Sequence, residues 1–99
     1  MTAGSRSTSR PSSGANLTGA NLTNQNLSGY NLTGANFTGA TLTRANLTAA
    51  NLTNANLSNA NLSNANLIGA NLSGAVTTGT NFTGATCPNG LTYCNGGNC

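Results

Sequence analysis

The chain has 99 residues, contains no Asp, Glu or His, and owes its net charge of +3 to three arginines. General acid–base catalysis at neutral pH usually depends on His, Asp, Glu or Lys, and the chain contains none of the four. We therefore expect no enzymatic activity and no cofactor. Nucleic-acid-binding proteins usually show a clustered basic surface. Because Arg6, Arg10 and Arg44 are dispersed, we expect no nucleic-acid partner.

Residues 1–14, MTAGSRSTSRPSSG, are polar and show no regular apolar pattern. This composition predicts a disordered polar N-terminal tail. The segment lacks the apolar core of a secretory signal peptide, so no signal peptide is visible. No later stretch is apolar over the length that a bilayer requires, and we expect no membrane association.

Residues 15–89 are fifteen consecutive units of five residues, beginning ANLTG, ANLTN, QNLSG and YNLTG. The central residue is Leu or Phe in all but two units. Positions five apart lie about 140° apart around an α-helix, so a helix would scatter these side chains over its whole surface. Side chains of a single strand alternate with period two, so every second central residue would face water. A corner once per unit removes both problems.

The fifth residue of each unit is the expected corner. It is Gly in eight units and Asn in five, and both residues accept the positive φ at the third position of a type II turn. Pro88 precedes the last corner, where a type II turn favours proline. Arg44 and Ala49 are the exceptions, and we expect a different turn type there.

The A-N-L-T/S-x units resemble the pentapeptide-repeat family, whose motif is A(D/N)Lxx. The resemblance covers residues 15–89 and implies an all-β fold, a right-handed quadrilateral β-helix (a pentapeptide-repeat solenoid) with four units per coil. It further implies about four coils in this chain, starting at Ala15, Ala35, Ala55 and Ala75. We expect the coils to stack at the inter-strand spacing of about 4.8 Å.

In this register the first and central residues of a unit point inward, while the Asn between them and the following Thr or Ser point outward. We expect the outward Asn side chains to form hydrogen-bonded ladders up the stack. Gln25 and Tyr30 replace Ala in the first coil, and Thr77 dilutes the core of the last. The predicted core column consists of Leu17, Leu22, Leu27, Leu32, Phe37, Leu42, Leu47, Leu52, Leu57, Leu62, Leu67, Leu72 and Phe82.

All three cysteines, Cys87, Cys94 and Cys99, lie near the C-terminal end. Solenoid ends need caps, and residues 90–99 are predicted to form a C-terminal cap held by a disulfide from Cys87 to Cys94 or Cys99. One thiol would remain, free or for a partner molecule. The cysteine spacing matches no usual zinc site, so we expect no metal. Disulfides indicate an oxidising or extracellular compartment, although no signal peptide is visible.

Some members of the resembled family are quinolone-resistance factors that bind DNA gyrase as acidic, DNA-like rods. That function depends on columns of Asp and Glu, which this chain lacks, so we do not expect gyrase protection. Eleven Asn-x-Ser/Thr sequons follow automatically from the repeat and do not by themselves indicate glycosylation.

Two hypotheses about function remain. The first is a non-catalytic structural or protein-interaction solenoid, with an unidentified protein partner or with end-to-end self-association. The alternative is a solenoid that binds ice or another flat surface through arrays of Asn and Thr, such as Asn16 and Thr18, repeated up each face.

Overall fold

The structure is a computed structural model that describes residues 12–88. In this range, regular pairing consists of isolated parallel bridges between residues twenty positions apart, from Asn16 with Asn36 to Asn66 with Thr86. Each bridge is a single residue at the second position of its unit, and neither a longer strand nor a helix occurs in residues 12–88. The described residues therefore include no helix able to cross a membrane. One coil of the chain contains four five-residue units.

We number the four sides of the coil in chain order. Face 1 holds the units that begin at residues 15, 35, 55 and 75, and face 2 holds those that begin at 20, 40, 60 and 80. Face 3 holds the units that begin at 25, 45, 65 and 85, and face 4 those that begin at 30, 50 and 70. A residue lies on the same face as the residue twenty positions away.

Three backbone hydrogen bonds per interior unit join successive coils. The central N–H donates to a second-position carbonyl of the next coil, as from Leu47 to Asn66 at 2.8 Å. The corner N–H donates to a fourth-position carbonyl of the next coil, as from Ala49 to Ile68 at 2.8 Å. The second-position N–H donates to the first-position carbonyl of the preceding coil. Coil stacking thus satisfies backbone groups that would otherwise be buried without partners.

The central side chains fill the interior of the coils. Of the thirteen residues of the predicted core column, twelve are at most 3% exposed, and Leu72 is half-buried against the same cluster. Alanines at the first position, such as Ala35 and Ala55, are fully buried between these larger side chains. The first-position residues Gln25 and Tyr30 of the first coil are half-buried.

Arg44 and Ala49 adopt the same corner as the glycines, so the expectation of a different turn type there is wrong. Both have φ of 59°, and both turns close with a 3.0 Å hydrogen bond from the next residue to the central carbonyl. The left-handed conformation costs a residue with a Cβ about 1–2 kcal/mol. A different turn would break the coil-to-coil hydrogen bonds of the corner and displace the packed leucines on both sides, which costs more.

Candidate functional site

The outward side chains of a unit are bonded to each other. Oδ1 of Asn46 accepts hydrogen bonds from the N–H of Thr48 at 3.0 Å and from its hydroxyl at 2.6 Å. The same pair of bonds joins Asn51 to Thr53 and Asn36 to Thr38. These are Asx turns, in which a short polar side chain bonds the backbone two residues on.

The expected Asn ladders up the stack are therefore wrong. Among residues 12–88, the outward Asn side chains bond within their own unit rather than to an Asn of the adjoining coil. The reason is local: the N–H and hydroxyl two residues on occupy both lone pairs of the Asn oxygen. The amide NH₂ groups of these Asn residues donate no hydrogen bond within residues 12–88, so hydrogen-bond donors recur along each face, interrupted at Thr41, Val76 and Thr86.

The described exterior has few other features typical of a catalytic or binding site. Residues 12–88 contain no pocket and no group of three or more side chains suited to a metal ion. Each buried side-chain nitrogen or oxygen in this range has a hydrogen-bond partner. Arg44, on the corner between faces 2 and 3, is the one charged side chain of the described range.

Cys87 is the one disulfide candidate that the structure describes. Its side chain is 2% exposed and disulfide-bonded. Cys94 and Cys99 lie outside the described residues, as do most of the predicted N-terminal tail and the predicted cap at residues 90–99.

Two polar features were not expected from the sequence. The hydroxyl of Thr80, which is 9% exposed, donates a 2.6 Å hydrogen bond to the carbonyl of Leu57. In addition, three corner Asn side chains lie over a Gly of the next coil, in the pairs Asn54–Gly74, Asn59–Gly79 and Asn64–Gly84. Aligning the corners at a spacing of twenty residues would have revealed these Asn–Gly pairs.

Two apolar side chains break the polar exterior. Ile68, at a fourth position, and Val76, at a second position, are each 44% exposed. Ile68 lies on face 3 and Val76 on face 1, which are opposite sides of the coil. They therefore do not form a common apolar patch.

The chain matches a family model and is similar to several solved structures. The family model for pentapeptide repeats matches residues 15–54 and 60–89. The pentapeptide repeat protein alr5209 from Nostoc PCC 7120 is 32% identical with a TM-score of 0.56, over 86% of this chain and 74% of its own. HetL, a pentapeptide repeat protein involved in heterocyst differentiation regulation in Nostoc sp. strain PCC 7120, is 34% identical with a TM-score of 0.47, over 85% of this chain.

Rfr23, a pentapeptide repeat protein from Cyanothece 51142, is 37% identical with a TM-score of 0.47, over 82% of this chain and 62% of its own. The chain spans 43% of the length of HetL. No curated protein matches the sequence. Pentapeptide repeat proteins fold as right-handed quadrilateral β-helices, and the predicted resemblance to them is confirmed. The chain belongs to the pentapeptide repeat family.

Proposed function

We propose that this protein is a non-catalytic structural module of about four coils that acts by presenting its rigid exterior to a partner protein. The observation that carries the proposal is the filled interior: twelve of the thirteen core side chains are at most 3% exposed. Residues 12–88 have no pocket in which a small substrate would be enclosed. Recognition by this part of the chain is therefore left to its outer surface.

The chemistry of that surface suits a protein partner. Asn amide groups repeat up each face as donors, because their oxygens are already bonded within the unit, as in Asn46 and Asn51. Backbone carbonyls of a partner are natural acceptors for such donors. The backbone that carries them is held by hydrogen bonds at every interior unit, so little conformational entropy is lost on binding.

A photo-crosslinking scan tests the proposal on protein in its native source. Thr38, Thr43, Thr48 and Thr53 are the fourth-position residues of one coil, are all half-buried, and place one probe on each face. Replacing each in turn with a photoreactive residue gives four matched variants. We expect a discrete protein adduct from one face or two adjacent faces, with the opposite face as the internal control. Absence of protein adducts from all four positions would contradict the proposal.

Binding to ice is the alternative, and one feature favours it. Face 4 repeats Asn31, Asn51 and Asn71 without interruption. Against it, the hydroxyl protons of Thr33 and Thr53 are donated to these Asn side chains and not to the surroundings. We expect no thermal hysteresis. Hysteresis that is lost when Thr53 is replaced by a bulkier residue, and retained with the same change at Thr43 on face 2, would favour the alternative over our proposal.

A further inference from the structure

Within residues 12–88, the two ends of the backbone ladder carry complementary groups that have no hydrogen-bond partner in that range. At the N-terminal end, the carbonyls of Asn16, Thr18, Asn21 and Thr23 accept no hydrogen bond from residues 12–88. At the C-terminal end, the central and corner N–H groups on faces 4 and 1 donate none within the same range, namely those of Leu72, Gly74, Thr77 and Gly79. The central and corner positions of the described solenoid therefore offer donors at one end, and the second and fourth positions offer acceptors at the other.

Among residues 12–88, two of the four sides are exposed at the donor end. On faces 4 and 1, Leu72 is half-buried, Thr77 is exposed and Val76 is 44% exposed. On faces 2 and 3, Phe82 and Cys87 are 3% and 2% exposed. The open segment therefore runs over residues 70–79, which is two units of chain.

The open donors and acceptors occur in the same order and spacing. Inside the solenoid, each central or corner N–H donates to the carbonyl nineteen residues further on. The four donors at residues 72, 74, 77 and 79 are separated by two, three and two positions, and so are the four acceptors at residues 16, 18, 21 and 23. The two spacings match because the donors and the acceptors belong to the same repeating pattern of coil-to-coil hydrogen bonds.

We propose that a second copy of this chain docks on this open edge, head to tail. Leu72, Gly74, Thr77 and Gly79 donate to the carbonyls of Asn16, Thr18, Asn21 and Thr23 of the second copy, in that order. The N–H groups of Asn16 and Asn21 of the second copy donate in return to the carbonyls of Ala70 and Ala75. The half-buried Leu72 is then covered by the first coil of the second copy.

This contact joins different surfaces of two identical molecules, so it does not close on itself. Heterologous contacts of this kind extend into open filaments. The interaction uses the ends of the rod, whereas the proposed function uses its faces. Failure of one therefore leaves the other intact.

Lysine variants of the full chain test the contact. Thr77→Lys places a charge across the open end, while Thr78→Lys, its exposed neighbour on the outside of face 1, is the control. Ala20→Lys places a charge at the other end. The equivalent first-coil positions hold Gln25 and Tyr30, so a long side chain fits there, and Thr18→Lys is its control.

Sedimentation over a range of concentrations is the measurement, with thermal unfolding to verify that each variant is folded and a non-reducing gel to identify disulfide-linked species. We expect the wild-type protein and both controls to increase in mass with concentration, and Thr77→Lys and Ala20→Lys to remain monomers. An equimolar mixture of these two variants retains one good donor end and one good acceptor end, so it should form dimers and nothing larger.

Three results would overturn the proposal. A wild-type protein that stays monomeric at all concentrations would show that no second copy docks on this edge. Association blocked by Thr77→Lys but not by Ala20→Lys would indicate pairing of like ends. If Thr77→Lys and Thr78→Lys reduced self-association equally, the contact would lie on a face instead of an end.

Discussion

The side-chain oxygen of Asn54 occupies the place that a Cβ on Gly74 would need. An ideal Cβ built on Gly74 would lie 2.2 Å from this oxygen. The second α-hydrogen of the glycine takes that direction instead and points at the oxygen, a weak CαH···O contact. Asn59 and Gly79, and Asn64 and Gly84, repeat the arrangement at 2.3 Å and 2.2 Å. At these three corners the Asn side chain takes the space that a Cβ twenty residues on would need, whereas the corner twenty residues after Asn24 is Arg44.

Gly74→Ala should destabilise the fold more than Gly39→Ala. Both glycines have positive φ, 70° and 68°, which costs an alanine about 1–2 kcal/mol. A Cβ on Gly39 meets nothing within 4 Å, so that variant measures the backbone term alone. At Gly74 the displaced Asn54 side chain adds about 1 kcal/mol. The free energy of unfolding in urea measures both.

A third variant isolates the contact. In an Asn54→Gly background the Cβ at position 74 meets no side-chain oxygen from below, so Gly74→Ala should then cost the same as Gly39→Ala. Equal costs for the two single variants in the wild-type background would refute the role of Asn54.

Ala49→Gly should stabilise the protein, by about 1 kcal/mol. Ala49 has φ of 59°, and glycine adopts this conformation without the steric penalty of a Cβ, which exceeds the entropy that glycine adds to the unfolded chain. Ala50→Gly is the matched control, because Ala50 is buried and is not among the residues with positive φ. The free energy of unfolding of Ala50→Gly should be lower than that of wild type by about 1 kcal/mol. A higher melting temperature for the control than for Ala49→Gly would contradict this account of the corner.

The stability of the wild-type protein should hardly depend on pH between about 4.5 and 7. The chain has no Asp, Glu or His, and the chain termini ionise mostly outside this window. Folding therefore binds or releases almost no protons there, and the free energy of unfolding should change by less than about 1 kcal/mol. Urea titrations at several pH values measure it, and a steep acid transition above pH 4.5 would contradict the expectation.

Asn51→Asp is the matched test of that reasoning. The introduced carboxylate accepts the two hydrogen bonds from Thr53 that Oδ1 of Asn51 accepts now, at 3.1 and 2.6 Å. These bonds favour the ionised form and lower the pKa of the carboxyl below its ordinary value of about 3.9. The stabilisation is complete above the unfolded-state pKa and is lost as pH falls through the lower folded-state pKa. The variant should therefore lose stability relative to wild type only below about pH 4.

Thiol titration of the unfolded, unreduced protein should detect one free cysteine of the three. Cys87 is disulfide-bonded in the structure, and the chain has two further cysteines, Cys94 and Cys99. Cys94→Ser and Cys99→Ser, analysed separately, identify the cysteine that is bonded to Cys87. The variant that lacks this cysteine should show two free thiols. Three reactive thiols in protein from its native source would refute the disulfide there.

The sequence predicted the coil through a signal that repeats. Leu or Phe at the centre of nearly every unit and Gly or Asn at the corner share one register, so both point to the same inward and outward positions. The turn type expected at Arg44 and Ala49 was wrong because the expectation rested on local turn preference alone. The coil-to-coil bonds of each corner, such as Ala49 to Ile68 at 2.8 Å, connect residues nineteen positions apart and outweigh that preference.

The hydrogen-bond partner of the outward Asn side chains could not be predicted from the sequence. A ladder and an Asx turn both satisfy an outward amide, and the repeat places an Asn above an Asn as well as a Thr two residues ahead. The geometry of the turn favours the hydrogen bond within the unit over the ladder between coils, as at Asn46 and Thr48. The repeat does not indicate a specific partner, because nearly identical units make nearly identical faces.

The register of twenty residues is the central claim, and through-hydrogen-bond scalar couplings measured by NMR test it most directly. The account predicts couplings from the amide nitrogens of Leu42, Leu47 and Leu52 to the carbonyl carbons of Asn61, Asn66 and Asn71, whose N···O distances are 2.7, 2.8 and 2.8 Å. Couplings from these amides to carbonyls four residues back, or to residues at any spacing other than nineteen, would contradict it.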